Sequence, residues 1–236
     1  MQSANHLITT VAWSLGPGVA KERGIKALAS QTITNYALEG SVFNAGSTIQ
    51  WLRDELGIIS TSKECDELAA TVPDSGGALI VPAFTGLGAP WWDMGARAAI
   101  LGMTRATNKA HLCRAALEAI ALSSADVVLA MAADSRQPLR NMRVDGGVAV
   151  SDLMLQYQAD VLDVQIERPK ITETTAMGAA FLAGLAVGFW KAVADLEACR
   201  EVDRVFLPEK DQKWRSRQLD RWTQAVKSVR AFDARR

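Results

Sequence analysis

The chain has 236 residues, enough to bury a full hydrophobic core in one large domain, and its 26 basic and 26 acidic side chains cancel to a formal net charge of zero. That balance gives no electrostatic reason to expect nucleic acid or an anionic membrane as partner. Cys65, Cys113 and Cys199 are an odd, widely spaced set without a C-x-x-C pair, which points away from a disulfide framework or zinc site and toward a cytoplasmic protein. Residues 1–10 lack a basic stretch followed by an apolar one, and no uninterrupted apolar run reaches transmembrane length.

Residues 7–13, with Ile8, Thr9, Thr10, Val11 and Trp13, are rich in β-branched and aromatic side chains, and residues 78–84 are a second such run. Both read as strands. Between them Ser41 is placed to cap a helix whose stripe is Val42, Ala45, Ile49, Leu52 and Leu56, with Gly57 at the position of a terminating glycine. Gly46 inside that stripe costs about 1 kcal/mol relative to alanine. Either a close backbone crossing or a planar ligand lying on the helix accounts for it.

Asn108 is a plausible cap for a long helix in which Leu112, Ala116, Ile120, Val127, Val128 and Met131 keep a period near 3.6 as far as Ala133. His111, in its first turn, reads as a surface or capping histidine without catalytic partners. Residues 139–144 form a short strand, Gly146 and Gly147 follow, and then Val150, Leu153, Met154, Tyr157 and Val161 recur at helical spacing. A strand, a glycine pair and a helix are the ingredients of an ordinary turn and equally of a site where main chain meets a nucleotide. Residues 175–188, crowded with Ala and Gly, predict an apolar helix packed into the core. Trp214, Gln218, Trp222, Val226 and Val229 predict an amphipathic terminal helix covering one flank. Strands alternating with helices place the chain in the α/β class.

Five ordered blocks carry a resemblance. They are Tyr36 to Gly40, the run Val81, Pro82, Phe84, Gly86, Gly88, Pro90, Trp91 and Asp93, the stretch Ala98 to Arg105, the helical segment Ala115 to Glu118, and the Gly146-Gly147 turn. Together they closely resemble the carboxy-terminal half of the FGGY carbohydrate kinases, nearest to the members that phosphorylate glycerol, and the likeness runs from about Leu7 to the end of the chain. The resemblance implies an actin-like ATPase, ribonuclease-H-like fold with a mixed central sheet flanked by helices. It also implies ATP or ADP as ligand, with magnesium held largely by the amino-terminal half. That half, with the polyol site and the Asp-Gln motif of the general base, has no counterpart here. Residues 1–236 are therefore expected to be one carboxy-terminal kinase domain from a split or truncated gene, inactive alone, with the amino-terminal half as partner and homo-oligomers as a further possibility.

Carried over residue by residue, the nucleotide contacts implied are Gly46, Ile49 and Gln50 on the early helix, Gly147 at the turn, and Ser151 where similar kinases carry asparagine. A hydroxyl supplies only part of what an amide donates and accepts, so adenine or ribose recognition is expected to be weaker. Asp145 orders the turn or touches the nucleotide. No catalytic residue and no metal ligand is assigned within this segment. Residues 14–34 are longer than the family pattern and read as a loop or hairpin insertion. Two alternatives stay open: another FGGY sugar kinase, and a non-catalytic nucleotide-binding remnant.

Overall fold

The computed structural model describes residues 3–15, 32–137 and 139–233. Strands β1 (Ile8–Leu15) and β2 (Ile33–Glu39) form an antiparallel hairpin, with a register shift between Val11 and Trp13. Of the expected insertion at 14–34, Ser14, Leu15, Ile33 and Thr34 are the ends of these strands, and residues 16–31 lie outside the described residues. Helices α1 (Gly46–Asp54) and α2 (Ser62–Ala69) follow, then the short antiparallel pair β3 (Leu79–Val81) and β4 (Ala99–Leu101). The long helix α3 (Lys109–Ser135) leads to β5 (Asn141–Arg143), a 3₁₀ turn (Gly147–Val150), α4 (Asp152–Leu162) and β6 (Gln165–Pro169). The chain ends with α5 (Thr174–Val187), the single turn α6 (Ala194–Glu197), β7 (Val202–Phe206) and α7 (Gln212–Asp233). Strands β5 and β6 run parallel and β7 runs antiparallel to β6, giving a mixed sheet.

Helix α3 organises the core. Asn108 caps it as the sequence predicts: its Oδ1 accepts from the amides of Ala110 (3.0 Å) and His111 (3.3 Å), while His111 Nδ1 accepts from the Asn108 amide. His111 is thus the reciprocal partner of the cap, with a structural task in place of a chemical one. The helix packs on α1, α2, α4 and β3 and buries Leu117, Ile120 and Leu122 along with many alanines. By length and composition it could cross a membrane, yet more than half of its most apolar stretch is buried within this protein. Its polar members are held as well. Asp126 accepts the indole N–H groups of Trp91 and Trp222, each at 2.7 Å, and burial raises its carboxyl above the usual range while both indoles pull it back. Those contacts tie α7 and the loop around Trp91 to one side chain. Helix α7 closes the flank through Trp222, Val226 and Val229, all buried, on the predicted period.

Three expectations need correction. Ser41 caps nothing: α1 begins at Gly46 after Ala45, which makes no side-chain cap bond, because the Ser41 carbonyl is taken by the Ala89 amide at 3.1 Å. Gly57 does end the helix, with positive φ and the Ile58 amide closing on the Leu52 carbonyl at 3.1 Å. The strand expected over 78–84 is cut to three residues, since Pro82 has no N–H to offer a ladder. Finally α5, expected in the core, buries only Gly184 and Leu185 and leaves Leu182 and Val187 exposed. Among the described residues no other helix or strand makes more than marginal contact with it, so its small residues meet no close neighbour element.

Candidate functional site

The Gly146-Gly147 pair opens the 3₁₀ turn that links β5 to α4. Gly146 takes φ +82°, which a residue with a side chain rarely adopts, and its amide is tied to the Thr172 carbonyl at 3.0 Å. A Cβ placed on Gly147 would meet nothing within 4 Å. The turn closes on itself through Ala149 N–H to Gly146 C=O (3.1 Å) and Ser151 N–H to Val148 C=O (3.1 Å), and no acceptor among the described residues takes the amides of Gly147 and Val148. Two open N–H groups just ahead of a helix N-terminus form a donor pair suited to an anion, and the helix dipole adds about 0.3–1 kcal/mol of preference for negative charge.

Helix α1 stands against this turn. A Cβ built on Gly46 would lie 3.1 Å from Val148 Cγ2, so the missing side chain lets the turn rest on the helix. The structure therefore brings together Gly46 and the Gly147 turn, which lie 101 positions apart in the chain (147 less 46). Gln50 is exposed, whereas the Ile49 side chain is buried in the core cluster with Leu52. The Ser151 hydroxyl is committed: it donates to Asp66 Oδ1 and accepts from the Met154 amide at 3.2 Å, making Ser151 the cap of α4. Burial raises the Asp66 carboxyl above its ordinary value, against the lowering effect of the Ser151 bond. Asp145 is exposed beside the turn.

Two cavities flank this turn. One, about 520 Å³, lies between α2 and the start of α4 and is lined by Lys63, Asp66, Ala70, Val150 and Leu153. The other, about 540 Å³, lies toward α5, with Asp145, Lys170, Met177 and Phe181 in its walls. Both fall in the size range of small-molecule sites. Among the described residues no group of three or more His, Cys, Asp or Glu could hold a metal ion by itself, and no step is routed through magnesium.

Sequence reasoning missed Val148, Asp66 and Arg168. The Arg168 guanidinium reaches the far side of the turn, donating to the carbonyls of Ala149 (3.1 Å) and Val150 (3.2 Å) and to Asp152 Oδ1 (2.8 Å). Only Val148, as neighbour of the glycine pair, had a local signal that could have flagged it.

Residues 19–187 match the family model described as the FGGY family of carbohydrate kinases, C-terminal domain. The chain is 48% identical over 234 residues to a glycerol kinase of Janthinobacterium sp. (strain Marseille), covering 99% of this chain and 45% of the relative. It is 51% identical over 226 residues to a glycerol kinase of Dechloromonas aromatica (strain RCB), covering 96% and 42%. It thus spans less than half the length of these relatives. Among solved structures, Plasmodium falciparum glycerol kinase with ADP superposes with a TM-score of 0.82 at 33% identity, covering 96% of this chain and 42% of that one. A ligand-bound xylulose kinase from Lactobacillus acidophilus gives a TM-score of 0.72 at 26% identity, over 88% and 41%. The fold is accordingly α/β, of the actin-like, ribonuclease-H-like kind shared by these neighbours, and the chain belongs to the FGGY family of carbohydrate kinases.

Proposed function

We propose that this chain is the nucleotide-holding half of a cytoplasmic kinase that transfers the γ-phosphoryl group of ATP to glycerol, giving glycerol 3-phosphate. The observation that carries this reading is the pair of open amides at Gly147 and Val148, set at a helix N-terminus and backed by a glycine on the facing helix. Phosphate oxygens bind at the amides, and the base runs into the cavity between α2 and α4, whose Val150 and Leu153 offer apolar surface. Gln50 is free to meet the ribose or base from α1, and Gly46 admits the turn. Ile49 contributes by fixing the helix, and Ser151 by fixing the start of α4.

Phosphoryl transfer of this kind depends on positioning and on stabilising charge over the phosphoryl oxygens. Orientation alone can lower the barrier by about 7–11 kcal/mol when both reactants are held. This chain holds the nucleotide, and the polyol and general base belong to an amino-terminal half that acts as its partner, so the chain by itself binds without turnover. Glycerol is favoured over other sugars because the relatives at 48% and 51% identity are glycerol kinases while the xylulose kinase stands at 26%.

Calorimetric titration with ADP tests the site. Gly147→Leu fills the open space above the amides and is expected to weaken ADP binding by more than about tenfold, or 1.4 kcal/mol, with the fold retained because nothing in the structure occupies that space. Unchanged affinity in a folded variant would remove the turn from the site.

A further inference from the structure

We propose that Arg168 is a positioning residue: its guanidinium sets the direction of the open amides at Gly147 and Val148 by holding the carbonyls at the other end of the same turn. The proposal rests on the nucleotide reading above. It concerns a side chain that touches the turn through the carbonyls of Ala149 and Val150 and makes no hydrogen bond to the open amides.

The turn needs such a hold because two hydrogen-bond ladders meet in it. The 3₁₀ segment closes with Ser151 N–H on Val148 C=O, and the α-helix begins with Leu155 N–H on Ser151 C=O at 3.1 Å. The carbonyls of Ala149 and Val150 fall between the two ladders, and the Met154 amide that could have served Val150 is bound to the Ser151 hydroxyl instead. Arg168 Nη1 takes both carbonyls together with Asp152 Oδ1, and Nε binds Asp203 Oδ2 at 2.7 Å on β7. One planar fork therefore links the turn, the first residue of α4 and the neighbouring strand, and only 13% of the side chain is exposed. Hydrogen bonds to a charged donor of this kind are the strong class.

The strand pairing shows that the placement is built. Arg168 lies directly opposite Arg204 on β7, a like-charge arrangement that is unfavourable on its own. Asp152 binds both guanidinium groups, and both lie over the Phe206 ring, at 5.5 Å and 4.9 Å from its centroid. A lysine could keep the charge but could not span two carbonyls and two carboxylates.

The experiment uses the full chain with Arg168→Lys, Asp203→Asn, which loosens the fork from its far side, and two controls. Arg230→Ala removes the ion pair with Asp93, which lines neither cavity beside the turn. Val226→Ala creates a cavity in α7 and lowers stability without touching the turn. Thermal unfolding, ADP affinity by calorimetry, and amide exchange at Gly147 and Val148 by NMR are read for each. Arg168→Lys is expected to weaken ADP binding about tenfold or more and to shift and speed exchange of the two amides, with Asp203→Asn showing the same change to a smaller degree. Both controls should keep wild-type affinity and amide signals, Val226→Ala despite its lower melting temperature. If affinity follows melting temperature across all four variants, Arg168 is merely structural and the proposal is overturned. It is overturned equally if Arg168→Lys leaves the amide signals unchanged. Should the unaltered chain bind no ADP, the nucleotide reading fails, while the amide signals of the variants still decide whether Arg168 positions the turn.

Discussion

Helices α3 and α5 are both rich in alanine and aliphatic side chains, and neither shows a polar face. Yet α3 is wrapped by α1, α2, α4 and β3, whereas α5 buries two residues and exposes Leu182 and Val187. A helix apolar all round is stable in water only when something surrounds it. For α3 the same chain supplies the surroundings. For α5 it does not, and with Ile171, Phe189 and Val193 also exposed nearby, that flank carries apolar surface of the kind that soluble domains rarely leave bare. The difference teaches that composition marks a segment as needing cover without saying which polypeptide provides it. An amino-terminal half is the cover the proposed function would supply.

The comparison can be broken most directly by truncating one leucine in α3. Leu117, 1% exposed, should lose about 2–5 kcal/mol of stability as Leu117→Ala, read as a shift in urea midpoint at constant slope. A loss below about 1 kcal/mol would mean that α3 is not the centre of the core. Next in size is Asp126→Ala, which orphans the indole N–H groups of Trp91 and Trp222 and should cost about 2–4 kcal/mol in the same measurement. Asp126→Asn, which keeps an acceptor, should recover part of that loss.

The pH dependence sharpens the contrast, because the two regions should respond with opposite sign. Burial raises the Asp126 carboxyl above its ordinary 3.8, so the folded state holds that proton more tightly than the unfolded state. Its contribution is full below the ordinary value and declines as pH rises through the folded one. Near α5, the Arg200 guanidinium holds Glu167 below its ordinary 4.5, so that contribution is present above 4.5 and fades as pH falls through the folded value. Stability curves should show Asp126→Asn removing a decline with rising pH, and Glu167→Gln removing a rise. Equal slopes in both variants would contradict this. The smallest effect is expected on α5, where Leu182→Ala should change stability by no more than about 0.5 kcal/mol. A larger loss would show that α5 is already packed in solution.

What the sequence revealed depended on how far apart the interacting groups lie. The Asn108 cap, the Gly57 stop, the terminal helix through Trp222 and the glycine turn were all legible, since each is specified within a few residues. Ser41 was misread because its carbonyl answers to Ala89, 48 positions onward (89 less 41), and no local pattern announces such a bond. The commitment of the Ser151 hydroxyl to Asp66 crosses 85 positions and was equally invisible. The site residues split the same way. Gly46 and Gly147, whose helix and turn the structure brings together, were singled out because glycine is conspicuous at helical and turn positions, and Arg168 was passed over because an arginine at the end of a strand is commonplace.

One contact changes how substitutions on α1 should be understood. Val148 lies against the bare Cα of Gly46, so a methyl group added there would press on the bend before it reached any bound molecule. Damage from Gly46→Ala would thus arrive second-hand, as a tilted peptide plane rather than a blocked doorway, and the valine acts as the lever between a helix and the loop it supports.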